Sequence, residues 1–148
     1  MARRVFFSFH YERDIWRANV VRNSWVTRER EAAGFFDASL WEEAKTQGDA
    51  AIKKVIDDAL KNTSVTAVLI GAETANRTYV KYEIEKSIDR GNGLLGVRIE
   101  KIKNKDGNTD DAGANPLSSS YKLYLWNKDD GYKSFGDWVE EAAKDAGR

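Results

Sequence analysis

The chain has 148 residues and a mass of 16.8 kDa, the length of one ordinary domain. Hydrophobic residues at 41%, charged residues at 32%, a single proline and a mean hydropathy of -0.64 exclude both a disordered and a membrane-spanning chain. Lysine plus arginine (24) equals aspartate plus glutamate (24), which leaves no net field for nucleic acid or an anionic membrane, and zero cysteines with one histidine, His10, exclude thiolate catalysis, disulfides and Cys-based or His-rich metal centres.

Met1-Ala2-Arg3-Arg4 leads directly into Val5-Phe6-Phe7-Ser8-Phe9, too short an apolar run for a signal peptide or a membrane span, so a cytoplasmic protein is expected. Residues 4–9 lack two-residue alternation and read as a strand buried on both faces. Asp14 then caps a predicted helix in which Ile15, Ala18, Val21 and Trp25 recur near helical spacing and Arg17 and Arg22 face outward. Phe35 to Ala38 is a second short strand, and 39–48 a loop carrying Trp41, Glu42 and Glu43. Ile52, Val55, Ile56 and Ala59 fall at i, i+3, i+4, i+7 and predict a helix from Asp49 to Asn62. Ser64 to Ile70 is a buried strand, and Asn76 to Arg90 a helix with Val80, Ile84 and Ile88 on its inner face, broken by Gly91-Asn92-Gly93. Leu94 to Ile99 is the next strand. The polar stretch from Glu100 to Ser120 exceeds a simple connection and reads as a surface excursion, Tyr121 to Trp126 as an edge strand, and Ser134 as the cap of a final helix carrying Phe135, Trp138, Val139 and Ala142.

Buried strands alternating with amphipathic helices indicate βαβ units, hence an α/β fold with a parallel sheet flanked by helices on both faces; the flavodoxin-like order 2-1-3-4-5 is expected. Such sheets bind ligands beyond the carboxyl ends of their strands at the switch point, here residues 8–14 and 71–79. Those loops contain neither a P-loop nor a Gly-x-Gly-x-x-Gly cradle, and no acidic pair follows the first strand to hold magnesium. Ser8 and His10 lie two apart, as nucleophile and base would, but without a Gly-x-Ser-x-Gly elbow.

Four blocks carry a more specific pattern: residues 5–11 (VFFSFHY), 36–42 (FDASLWE), 62–71 (NTSVTAVLIG) and 76–84 (NRTYVKYEI). In order and spacing they resemble the Toll/interleukin-1-receptor-like (TIR-like) proteins of bacterial Thoeris antiphage defence systems, over residues 3–99. The resemblance implies a TIR-like fold and an enzyme that cleaves the nicotinamide–ribose bond of NAD and closes the remainder into a cyclic ADP-ribose-type messenger for a separate effector protein. NAD is then the substrate, and neither a cofactor nor a metal is implied. The family's catalytic glutamate lies on the helix after the third strand, in an aromatic-x-x-x-Glu setting that Tyr79 and Glu83 match.

The helical wheel alone is neutral, since Glu83 and Glu85 both sit about 100° from the centre of the Val80, Ile84, Ile88 face. Their company differs: Tyr79 and Ser87 lie on the side of Glu83, Lys81 on that of Glu85. One carboxylate suffices for this chemistry, because nicotinamide leaves from a cationic pyridinium without a general acid, while the carboxylate stabilises positive charge on the ribose. Cyclisation further requires solvent exclusion, for which aromatic walls serve. Ser8, His10, Tyr11, Trp41 and Tyr79 are the expected substrate contacts; Phe6 and Phe7 read as core. Arg17, Arg77 and Lys81 are candidates for the pyrophosphate. Two rivals stay open, a TIR-like module that associates with its own kind without turnover, and a hydrolase releasing linear ADP-ribose.

Overall fold

In the computed structural model, which describes residues 4–26, 31–33 and 44–148, the first apolar run becomes β1 (Arg4–Ser8). It is followed by α1 (Tyr11–Val26) and β2 (Glu31–Ala33). The predicted strand at 35–38 and Trp41 lie outside the described residues, and the strand that pairs with β1 is the earlier segment 31–33. Next come α2 (Asp49–Leu60), β3 (Val65–Ile70), a 3-10 turn (Thr74–Asn76) and α3 (Thr78–Asp89). Then follow β4 (Gly93–Arg98), β5 (Leu123–Leu125) and α4 (Gly131–Asp145). The sheet order is β2-β1-β3-β4-β5, parallel throughout, as the alternating pattern predicts. Among the described residues no helix is long and apolar enough to cross a membrane.

Alternation along β1 fixes what each face receives. Phe7 turns toward α4, where its ring stacks on Phe135 at 5.9 Å, and Trp25 of α1 meets the same ring edge-on at 5.7 Å. Ser8, one residue on, points to the opposite face and reaches α3. Val68, level with Ser8 across the ladder, packs with Val80, Ile84, Ile70, Leu94 and Leu117 on that same face. On α2, Ile52, Ile56 and Leu60 are buried, each contributing about 1.5–3 kcal/mol in apolar area removed from water.

Four expectations about helix starts and side-chain placement are corrected. Helix α1 begins at Tyr11 rather than after Asp14, because His10 supplies the cap: its Nδ1 accepts from Arg13 N at 3.2 Å and its carbonyl from Asp14 N at 2.9 Å. Asp14 and Arg17, predicted as cap and outward charge, are instead 0% and 2% exposed and paired with each other. Helix α4 starts at Gly131, where a side chain would strike the Trp126 ring, so Ser134 lies inside the first turn with its N–H on the Asp130 carbonyl. Ile88, predicted inward, is 49% exposed at the end of α3.

Candidate active site

The carboxyl ends of β1 and β3 and the first turns of α3 bring the candidate residues together. Helix α3 packs over β1 and β3 with Val80 and Ile84 turned down. That orientation carries Glu83 inward as well, leaving it 6% exposed, while Glu85 stays in solvent. The wheel could not choose between the two; the lateral position of the helix over the sheet does.

Ser8 Oγ donates to Glu83 Oε1 at 2.7 Å, a bond buried between β1 and α3. Burial drives the Glu83 carboxyl up to about 8, against the opposing pull of the Ser8 hydroxyl and, more weakly, of the Arg77 guanidinium. The helix beneath is anchored by a buried polar chain. Ser87 Oγ donates to the Glu83 carbonyl at 2.7 Å and lies 2.7 Å from Thr66 Oγ1, which in turn accepts from Asn92 Nδ2 at 3.3 Å. This fixes the backbone of the glutamate to the sheet without occupying its carboxyl.

His10 stands at the end of β1, half-buried, and its imidazole is held below the usual histidine range by burial first and by Arg77 second. It is therefore neutral at pH 7, as its acceptor role at Arg13 N requires. Arg77 precedes α3 and acts electrostatically on both His10 and Glu83, so it is the candidate cation nearest this site; Lys81 is exposed on the outer side. Arg17, the third pyrophosphate candidate, is committed to Asp14, Asp110 and two backbone carbonyls.

The remaining expected contacts separate. Tyr11 is 8% exposed and its ring stacks on Phe9 at 6.0 Å, a core role rather than an open wall. Tyr79 directs its hydroxyl to Asp49 Oδ1 at 2.8 Å, joining α3 to the start of α2, and its own ionisation is raised by burial and by that bond. Phe6 and Phe7 are buried, as expected of core residues. What sequence reasoning missed is the cluster of Arg13, Asp14, Arg17, Glu73 and Asp110 at the same end of the sheet. Only the Asp14–Arg17 spacing of three carried a signal, since Asp110 sits in the excursion far along the chain.

The family model described as Thoeris protein ThsB, TIR-like domain, matches residues 6–104, a stretch that includes Ser8, His10, Arg77 and Glu83. A protein of Bacillus cereus (strain MSX-D12) named "Putative cyclic ADP-D-ribose synthase ThsB1" is 42% identical over 191 aligned positions, covering 94% of this chain and 100% of that protein. The second match extends the likeness into the C-terminal third, where the sequence blocks gave little.

Proposed function

The chain belongs to the Thoeris ThsB family of TIR-like proteins, and from that premise we propose that it consumes NAD, releasing nicotinamide and a cyclic ADP-ribose-type nucleotide. In this reading the whole chain acts as one TIR-like domain in the cytoplasm. Its product signals to a separate effector protein in antiphage defence.

The observation that carries the reading is the buried Glu83 carboxyl held by Ser8 at the carboxyl end of β1. As the nicotinamide–ribose bond breaks, the electron pair leaves with the pyridine nitrogen, which becomes neutral, and positive charge appears on the ribose. Glu83, ionised, faces that charge in a water-poor setting where its attraction is strongest. The cationic pyridinium of bound NAD itself favours the ionised form, so substrate binding and proton loss from Glu83 are linked. Ser8 orients the carboxylate rather than touching the reacting carbon, and Arg77 serves the pyrophosphate. His10, neutral, offers its imidazole to a ribose hydroxyl. Ring closure follows when a nitrogen or oxygen of the same molecule, rather than water, reaches the anomeric carbon.

With Glu83 only 6% exposed, the ribose reaches it once the side chains covering it part. Self-association or another trigger supplies that opening. The test is to incubate purified protein with NAD, alone and at concentrations that promote assembly, and to follow nicotinamide by chromatography and the second product by mass. The reading expects a product lighter than ADP-ribose by one water. A folded protein that never releases nicotinamide supports the association module, and ADP-ribose alone supports the hydrolase.

A further inference from the structure

One buried guanidinium, that of Arg17, reaches the excursion at residues 100–116 at three points. Arg17 donates from Nε to the Ile102 carbonyl at 2.7 Å and from Nη2 to the Asn108 carbonyl at 3.0 Å. Its Nη1 is shared between Asp14 Oδ1 at 3.3 Å and Asp110 Oδ2 at 3.2 Å. Asp110 also receives Arg13 Nε and Nη2, at 3.2 and 3.1 Å, and Arg13 reaches Glu73 at 2.8 Å. Asp14 abuts Gly71 so closely that no side chain fits there, and Gly113 lies against the carbonyls of Gly71 and Ala72. Arg98, at the end of β4, donates to the Gly113 carbonyl at 2.8 Å.

The three segments that leave β1, β3 and β4 at their carboxyl ends are thereby tied into one block. That block borders the candidate site: Arg13 also donates its N–H to His10, and Glu73 lies in the loop that leads to Arg77 and on to Glu83. A single planar fork joining two carbonyls and two carboxylates costs too much desolvation to serve as a cheap source of stability, but it holds one geometry.

Building on the NAD-cyclase reading, we infer that Arg17, with Asp110, is a positioning and specificity-determining pair: it holds the excursion as a wall that keeps water from the ribosyl cation, so that the tethered nucleophile closes the ring. The cation has two fates. Attack by a nitrogen or a hydroxyl oxygen of the same nucleotide, the hydroxyl releasing its proton to solvent, gives the cyclic product, while attack by water, which likewise loses a proton to solvent, gives ADP-ribose. A looser wall favours the second.

The experiment compares the full-length wild type with Asp110→Asn and Arg17→Lys, measuring cyclic and linear products from the same reaction together with proteolytic cutting within 100–116. The ratio of the two products is independent of how much protein is folded, so a merely structural role leaves it unmoved. Asp110 is partly exposed and its amide replacement keeps the shape, which guards against loss of fold. We expect the linear-to-cyclic ratio to rise about five-fold in Asp110→Asn, with faster cutting of the excursion. Faster cutting with an unchanged ratio, or no change in either, overturns the inference while leaving the NAD reading intact. A wild type that forms no cyclic product overturns both.

Discussion

Ser8 Oγ and Glu83 Oε1 meet at 2.7 Å across the seam between β1 and α3, although 75 positions separate them in sequence. The bond joins the last residue of a strand to the second turn of a helix packed over it, and among the described residues it is the one side-chain hydrogen bond to this carboxyl. Ser8→Ala removes a donor that stabilises the ionised acid. Its acid limb in kcat/KM is therefore expected to move above the wild-type position near pH 8, by on the order of one pH unit, with lower kcat/KM at pH 7. A pH–rate profile of nicotinamide release checks this; an unmoved limb would mean that Ser8 does not tune the acid.

Glu83 also makes stability depend on pH. Its folded-state value near 8 lies above the ordinary 4.5, so between those values the native protein keeps a proton that the unfolded chain has released. Stability therefore falls as pH rises through that window and levels off above it, by on the order of a few kcal/mol in all. Glu83→Gln cannot titrate and its amide oxygen still accepts from Ser8, so its melting temperature is expected to exceed that of the wild type at pH 8 and to match it near pH 4. Thermal denaturation across pH reads both.

His10 holds the first turn of α1 through Arg13 N–H. His10→Ala is expected to cost about 0.5–2 kcal/mol of stability, and His10→Asn, whose side chain caps a helix as well, to restore most of it. If the imidazole also meets substrate, His10→Asn recovers the melting temperature without recovering turnover. Recovery of both would leave His10 a cap and nothing more.

Much of this architecture was legible in the sequence because it is local. The buried runs that became β1, β3 and β4 and the spacing of Ile52 and Ile56 on α2 are set by neighbours a few residues away. The sheet has the order 2-1-3-4-5 expected of buried strands that alternate with amphipathic helices. The misread features depend on distant partners. Asp14 looked like a cap and Arg17 like a solvated charge until Asp110 and the Gly71 loop arrived from elsewhere in the chain. Glu83 and Glu85 were equivalent on the wheel, and only the lie of α3 over the sheet separated them. Tyr11 and Tyr79 looked like ligand walls because aromatic residues at a loop resemble one another whether they face substrate, Phe9 or Asp49.

At Gly71 a loop passes directly against the buried Asp14 carboxyl. A methyl group added there meets the Asp14 carboxyl, and burial already raises that acid above its usual range, while its Oδ2 has no hydrogen-bond partner among the described residues. Gly71→Ala is expected to destabilise by about 1–3 kcal/mol, with urea unfolding as the measurement. An unchanged midpoint would show that Asp14 has room to move.

The central claim is that one buried carboxyl performs the bond cleavage, and its most direct measurement is nicotinamide release from NAD by wild type and Glu83→Gln, each shown folded by its thermal transition. The account predicts steady release by the wild type and a loss of at least about a hundred-fold in the variant, the scale seen when a group that stabilises transition-state charge is removed. Equal release by the two proteins would contradict it.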